Sequence, residues 1–439
     1  MHLARCGLRA ALVLVLALAS TACTRDAEVA HEFRPVLDVS PTAIGALDVL
    51  FVIDNSGSML PKQQALAAAA REQVFSLLEA QVGTMPDLHV GVITTDMGAG
   101  TFDHVNCNAP QAGALATGAP GSTCDMVTGH YLVDVASSDG SRLRNYTGEI
   151  GDAFGCLASV GTSGCGFEQP LAAMRAALDP DHVLNPGFLR SEAMLLVVFV
   201  TDEDDCSAGG TLFDPTDPTY GALKARCWNA GVVCSVDDPN TPGPRDGCVP
   251  REGATPVVPI STYADFLRGL KADPSMIMVA TIAGNTEPVE IVTEQDTPTI
   301  GVPGVTCETA TAGSATPPVR LAALAAQFSS RYSFSTICDL GGPDQLAHMT
   351  LTVAGVLTRR RCLLGPVPAS PTCRAYARKT DGNRVELPIC TSAAPGSCVA
   401  IEPDLDCDYT PSHLGAHASA GLVGSNEHLV VECVAPTGL

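Results

Sequence analysis

Positive charge is scarce in this chain: 439 residues hold 25 Lys and Arg against 47 Asp and Glu, a net charge of −22. A surface with that balance repels phosphate backbones, which excludes nucleic acid as a partner. Despite 18 cysteines there is no C-x-x-C pair, since the closest, Cys227/Cys234 and Cys390/Cys398, are seven and eight residues apart. Zinc ribbons and thioredoxin-type redox sites thereby lose their usual signature. There is no Walker loop, no G-x-G-x-x-G and no H-E-x-x-H, and Gly161-Thr162-Ser163 lacks the final glycine of G-x-S-x-G. Nucleotide and hydrolase chemistry have no anchor, so no catalytic residue is assigned and the chain is read as a non-enzyme. Beyond the N-terminus no apolar run reaches bilayer length, the runs at 194–200 and 276–283 being seven and eight residues.

What is present is a folding sequence, 46% hydrophobic and only 16% charged, long enough for two or three domains. Its cysteines are spread through Gly/Pro-rich stretches, the pattern of disulfides formed in an oxidising compartment.

The N-terminus reads as an export signal over residues 1–22. Arg5 and Arg9 precede an apolar stretch from Ala10 to Ala19, and Ser20-Thr21-Ala22-Cys23 follows. The segment resembles a bacterial lipoprotein signal, which implies cleavage before Cys23 and lipidation of that cysteine; Ser20 departs from the usual leucine. The alternative is an ordinary signal cut after Ala22, leaving Cys23 a free thiol. Parity agrees with lipid: setting aside Cys6 and Cys23 leaves sixteen cysteines, enough for eight bridges with none left over. Thr24, in place of the aspartate associated with inner-membrane retention in some bacteria, points to the outer membrane. Residues 23–45 lack hydrophobic periodicity and read as a flexible tether.

From 46 to 358 strands alternate with helices. Asp48-Val-Leu-Phe-Val-Ile53 is a buried-strand run ending at Asp54-Asn-Ser-Gly-Ser-Met59. A helix follows from Pro61 to Gln81, then a strand at 88–95, a helix at 168–178 and a strand at 194–201. The remaining periodicities predict helices at 263–270, 319–328 and 344–357 and strands at 276–283 and 332–337. This order predicts an α/β domain with a doubly wound, mostly parallel sheet. Three long insertions, at 97–150, 203–256 and 285–317, need stapling. Disulfide candidates are Cys107, Cys124, Cys156, Cys165, Cys206, Cys227, Cys234, Cys248, Cys307 and Cys338, with Cys307 in reach of Cys338. Residues 359–439 carry six more cysteines and short runs such as Cys398–Ile401 and His428–Cys433, a small disulfide-tied β region whose fifteen pairings stay open.

The chemistry gathers at the end of the first strand. Asp54, Ser56 and Ser58 present a carboxylate and two hydroxyls at a strand-to-helix turn, hard ligands suited to Mg²⁺ or Mn²⁺, with Ca²⁺ as a third option. Open α/β sheets bind ligands beyond the carboxyl ends of their strands, where Asp202 also emerges after Thr201. A metal-free reading gives Asp54 and the serines the simpler task of capping the next helix.

Here the sequence resembles the von Willebrand factor A (VWA) domain family. DVLFVIDNSGSM matches its metal-ion-dependent adhesion site (MIDAS), and LLVVFVTD its later aspartate-bearing strand, over roughly 46–358 without the insertions. The combination with GCGFEQPL and a cysteine-rich tail looks like bacterial VWA-domain lipoproteins. The resemblance implies Ser56 and Ser58 touching the cation, Asp54 and Asp202 holding it through water, and a coordination position for an acidic group of a partner. It implies metal-bridged adhesion to a protein or polysaccharide at the cell surface, with the membrane reached only through the lipid. The family's threonine is missing: Cys165 or Gly166 stands there, which leaves Thr162 or Glu168 as substitutes. A structural envelope protein whose metal only stabilises the fold is the alternative function. Glu203-Asp204-Asp205 with Asp214 and Asp217 offer a calcium site or, more simply, solvated loop acids. His413 and His417 read as surface residues.

Overall fold

The computed structural model describes residues 33–39 and 44–434, apart from 120, 122–123, 138, 239–240, 254–255, 295–296, 329–330, 341, 343–344, 359–361, 365–366, 369–370, 380, 391–396, 405–406, 408–409, 420–421 and 425–426. The signal segment and Cys23 lie outside the described residues.

The first described strand is β1 (Phe33–Val39), followed by β2 (Ala46–Ile53). Helix α1 (Leu60–Ala70) runs through a π-helical turn into α2 (Leu77–Val82) and leads to β3 (Asp87–Thr94). Then come β4 (Leu132–Ala136), β5 (Arg142–Arg144), α3 (Ile150–Ala158), α4 (Pro170–Leu178) and β6 (Met194–Val200). Helices α5 (Arg226–Gly231) and α6 (Ile260–Gly269) precede β7 (Ile277–Ala283), α7 (Val319–Ala326), β8 (Tyr332–Thr336) and α8 (Gln345–Leu357).

Seven strands form the main sheet in the order β8-β7-β6-β2-β3-β4-β5. The first five are parallel, and β4 and β5 extend one edge antiparallel. Strand β2 explains why the run at 46–53 is apolar throughout: its period-2 alternation serves two cores. Leu47, Val49, Phe51 and Ile53 face α1, α2, α3 and α8, while Leu50 and Val52 face α4, α6 and α7. Phe51 meets Phe154 of α3 at 4.6 Å between ring centroids. Helix α3 does not show in the sequence pattern because two glycines interrupt it. They are required by close packing, since a Cβ on Gly151 would come 2.6 Å from Arg71 and one on Gly155 3.1 Å from Ala67.

Sixteen cysteines form eight bridges. Cys107–Cys165 and Cys124–Cys156 fasten the first insertion to the segments flanking α3 and to α3 itself. Cys206–Cys227 and Cys234–Cys248 close loops within the second, and Cys307–Cys338 ties the third to the end of β8. The second and third insertions also share a small sheet, in which Val289–Glu294 pairs with both Thr297–Pro303 and Gly243–Arg245. Among the described residues no helix is long and apolar enough to cross a membrane.

The tail builds its own antiparallel sheet from β9 (Cys373–Lys379), β10 (Arg384–Leu387) and β13 (Glu427–Val434), beside a hairpin of β11 (Val399–Pro403) and β12 (Leu414–Ala418). Three bridges, Cys362–Cys407, Cys373–Cys433 and Cys390–Cys398, stay within it. One expectation is corrected here. Residues 33–39, read as tether, form β1, the edge strand that pairs with β13 across almost the whole chain, with a bulge between Pro35 and Leu37. Its apolar residues Val36 and Leu37 are buried in the tail core, and proline is tolerated because this is an edge.

Candidate metal centre at the ends of β2 and β6

Strands β2 and β6 pair in parallel up to Ile53 and Val200, so both chains leave the sheet at the same edge. Asp54 N–H still donates to the Val200 carbonyl at 2.9 Å. Asp54 and Asp202 are thereby brought together as the sequence predicts, and both are buried. The Ser56 N–H donates to Asp54 Oδ1 at 2.7 Å and the Thr201 hydroxyl to Asp54 Oδ2 at 2.8 Å. Ser56 Oγ and Ser58 Oγ stand 3.2 Å apart, before the first turn of α1. Burial, and then the nearby Asp202 charge, push the Asp54 carboxyl up to about 7.

The residue missing from the sequence reading is Lys62. Its Nζ donates to Asp202 Oδ2 at 2.8 Å and to the Ser58 carbonyl at 3.3 Å, with the lysine and aspartate side chains 1% and 3% exposed. Lys62 is the sole charged residue of α1, one turn after Ser58, and that isolation was the available signal. Gln63 beside it donates to the Asp54 carbonyl at 3.0 Å and the Gly161 carbonyl at 2.9 Å. Gly164 N–H donates to the Asn55 carbonyl at 2.8 Å. A Cβ on Gly164 would stand 2.1 Å from Asn55 Oδ1, so only glycine lets this loop lie against the Asp54 turn.

That loop carries Thr162, half-buried, and leads to Glu168, which is fully enclosed. Glu168 shares a hydrogen bond with Glu203. Burial, followed by the Glu203 and Asp54 charges, raises the Glu168 carboxyl. Burial of its carboxyl among these acids, and then the Asp202 charge, raise Glu203 too.

Asp204 and Asp205 are helix caps, which corrects both readings of the 203–205 run for these two residues. Asp204 accepts from the N–H groups of Arg320, at 2.9 and 3.0 Å, and Leu321, at 3.2 Å, at the start of α7. Its carboxyl is pushed up to about 7 by burial. Asp205 accepts from Leu171 N–H of α4 at 3.1 Å and pairs with the Arg320 guanidinium at 3.0 and 3.1 Å. Asp214 and Asp217 close local turns on Thr216 and Thr219. His413 and His417 are exposed, and His417 Nε2 lies 3.0 Å from Asp404.

Whether this place suits a cation is decided by its donors. Asp54, Asp202, Ser56 and Ser58 are hard oxygens of the kind Mg²⁺ and Mn²⁺ take. Asp202 Oδ1 is buried without a hydrogen-bond partner, an acceptor left for something positive. Among the described residues no three His, Cys, Asp or Glu side chains converge as a metal group, so a cation here rests on two carboxylates and the serine hydroxyls. The donor chemistry fits, with the Lys62 ammonium as a competitor already in place.

Fold and site together define a disulfide-stapled α/β protein with a mostly parallel seven-stranded sheet and an acidic, hydroxyl-bearing cluster at the strand ends. No family profile matches the chain, and no curated protein does. Among solved structures it is similar to proximal thread matrix protein 1 of the mussel byssus, at 9% identity and TM-score 0.31, over 72% of this chain and 50% of that one. It is also similar to the pilus adhesin SpaC of Lactobacillus rhamnosus GG, at 9% identity and TM-score 0.34, over 90% of this chain and 39% of the adhesin. The chain thus spans half or less of the length of either protein.

Proposed function

We propose that the chain is a bacterial, extracytoplasmic binding protein with a VWA-like, doubly wound domain, held to the membrane by lipid on Cys23, with the outer membrane its destination. It engages a protein or polysaccharide at the cell surface through a MIDAS-like site and performs no catalysis. The observation that supports this reading is the convergence of Asp54, Ser56, Ser58 and Asp202 at one sheet edge, with Asp202 Oδ1 buried and unpartnered. Mg²⁺ or Mn²⁺, when bound, supplies a positive point on a chain of net charge −22, and acidic or hydroxyl oxygens of a partner are attracted to it. Lys62 lowers the local negative charge and sets how strongly the site holds the ion. Capture of a partner from cell-surface extract, with and without EDTA, tests the reading: binding that chelation removes supports it, and binding indifferent to chelation and to Asp54→Ala defeats it.

A second reading rests on the same lysine. With Nζ 2.8 Å from Asp202, Lys62 already provides the positive charge that the strand ends need. The cluster then locks α1 to β6 and the protein is a structural component of the envelope. Calorimetric metal binding separates the two, because this version takes up no ion.

A further inference from the structure

We propose that the second insertion carries a binding pocket for a neutral saccharide, separate from the strand-end cluster and independent of the function proposed above. The insertion lines an open cavity of about 360 Å³, within the range of roughly 300–1,000 Å³ typical of small-ligand sites. Its wall includes Tyr220, Trp228, Asn229, Asp237, Arg251 and Ile291. Trp228 is the chain's one tryptophan and is half-buried at the wall, as is Tyr220, which also packs against the insertion's apolar cluster. Flat aromatic surface beside amide, carboxylate and guanidinium groups matches a pyranose, which has an apolar C–H face and a rim of hydroxyls that donate and accept.

Two of these residues carry unmet hydrogen-bonding capacity. Asn229 Oδ1 and Arg251 Nε are both buried without a partner, one an acceptor and the other a donor. Their remaining groups are fixed: Asn229 Nδ2 donates to the Tyr220 carbonyl at 3.1 Å, and Arg251 Nη2 to Asp237 Oδ1 at 2.8 Å and the Val232 carbonyl at 3.1 Å. A hydroxyl group satisfies either unmet atom, whereas an anion satisfies only the donor and a cation only the acceptor. The charges agree. Arg251 is paired with Asp237, and the Arg245 guanidinium at the wall is spent on the backbone carbonyls of Asp238, at 2.7 Å, and Gly243, at 3.0 Å. Asp237 and Asp238 balance Arg245 and Arg251 in charge along this wall, so a phosphate or carboxylate meets no net positive charge there.

The pocket is also rigid. Cys206–Cys227 holds α5 immediately before Trp228, and Cys234–Cys248 closes the loop opposite. Arg226 binds the carbonyls of Gly221, at 2.8 Å, and Leu212, at 3.0 Å, on the segment leading past Tyr220. Ile291, which also lines the cavity, comes from the third insertion, whose strand pairs with Gly243–Arg245. A loop braced this way reduces the ordering cost of binding.

The test uses the full extracytoplasmic chain, with Trp228 emission as a reporter and calorimetry as the second readout. Glucose, galactose, N-acetylglucosamine, maltose and cellobiose are titrated to about 50 mM, a range that covers millimolar dissociation constants, with inorganic phosphate as the anionic control. The expected result is saturable binding of at least one sugar, none of phosphate, and no change with EDTA or in Asp54→Ala. Asn229→Ala and Trp228→Ala should weaken binding about tenfold or more by calorimetry, at melting temperatures near that of the parent; Trp228→Phe, which keeps an aromatic ring, should retain part of it. The proposal is overturned if no sugar binds, if phosphate binds in preference, or if folded Trp228→Ala binds as the parent does. Loss of sugar binding with EDTA would also overturn it, by assigning the saccharide to the strand-end site.

Discussion

Lys62 Nζ lies 2.8 Å from Asp202 Oδ2, with both side chains closed off from solvent. The pair joins α1 to the end of β6 and leaves Asp202 Oδ1 without a partner. Removing the lysine strands a buried carboxylate, so Lys62→Met should destabilise the fold by about 3–5 kcal/mol. If a cation can share the place, saturating Mg²⁺ should recover part of that loss. Urea unfolding with and without Mg²⁺ checks both, and an unchanged midpoint would sink the account of this pair.

A second buried pair, Arg320 with Asp205, is fully withdrawn from water and organises the N-termini of α4 and α7. Arg320→Ala leaves Asp205 uncompensated, and a loss of about 3–5 kcal/mol is expected. The double variant Arg320→Met/Asp205→Asn should cost less than the two single changes added together. Additive losses in chemical denaturation would mean that the two residues act separately.

His428 sits between the two sheets. Its Nδ1 lies 2.8 Å from Asp38 and its Nε2 3.1 Å from Asp273, while Arg331 and Arg378 also pair with Asp38. Burial opposes the imidazolium, but the bonds to Asp273 and Asp38 outweigh it and raise His428 above its ordinary 6.5. Asp38 and Asp273 go the other way: burial is outweighed by Arg331, His428 and Arg378 for the first, and by His428 and Ser275 for the second, holding both well below the usual carboxylate range. The histidine contribution is complete below about pH 6.5 and is lost as pH rises through its elevated value; the aspartate contribution is complete above about pH 4 and is lost as pH falls toward their depressed values. Melting temperature should therefore be higher at pH 5.5 than at pH 8.5, and His428→Gln should reduce that difference, with the remainder left to Asp54 and Asp204, which are raised to about 7. An equal slope in the variant would place the titration elsewhere.

Strand β1 shields one edge of β13 and supplies Asp38 to the junction. Deleting residues 33–39 should strip hydrogen-exchange protection from 427–434 while leaving 46–53 protected, because β2 is covered on both sides by β3 and β6. Equal loss in both segments would show that the tail sheet and main sheet unfold as one unit.

The parts of this structure visible in sequence are those with strong local periodicity. Strands β2 and β6 are unbroken apolar runs because helices cover both of their faces, and α8 carries its own helical stripe. Asp54 and Asp202 could be placed on one edge because parallel strands end together. Strand β1 was hidden because its partner lies at the far end of the chain, and Arg34, Pro35 and Asp38 dilute its pattern. Helix α3 was masked by glycines that fit against Ala67 of α1 and Arg71 of the following turn and that have low helical propensity. The caps formed by Asp204 and Asp205 were illegible for the same reason as Lys62: a charged residue in a loop or a first helical turn reads as solvated until its distant partner is known.

The central claim is that the strand ends hold a divalent cation. Mg²⁺ and Mn²⁺ titrated calorimetrically into purified protein, with melting curves of the same samples, test it most directly. The account predicts saturable uptake of one ion and a raised melting temperature in the parent, both absent in Asp54→Ala. No uptake, with identical melting of parent and Asp54→Ala with and without metal, would contradict it and leave Lys62 as the site's permanent cation.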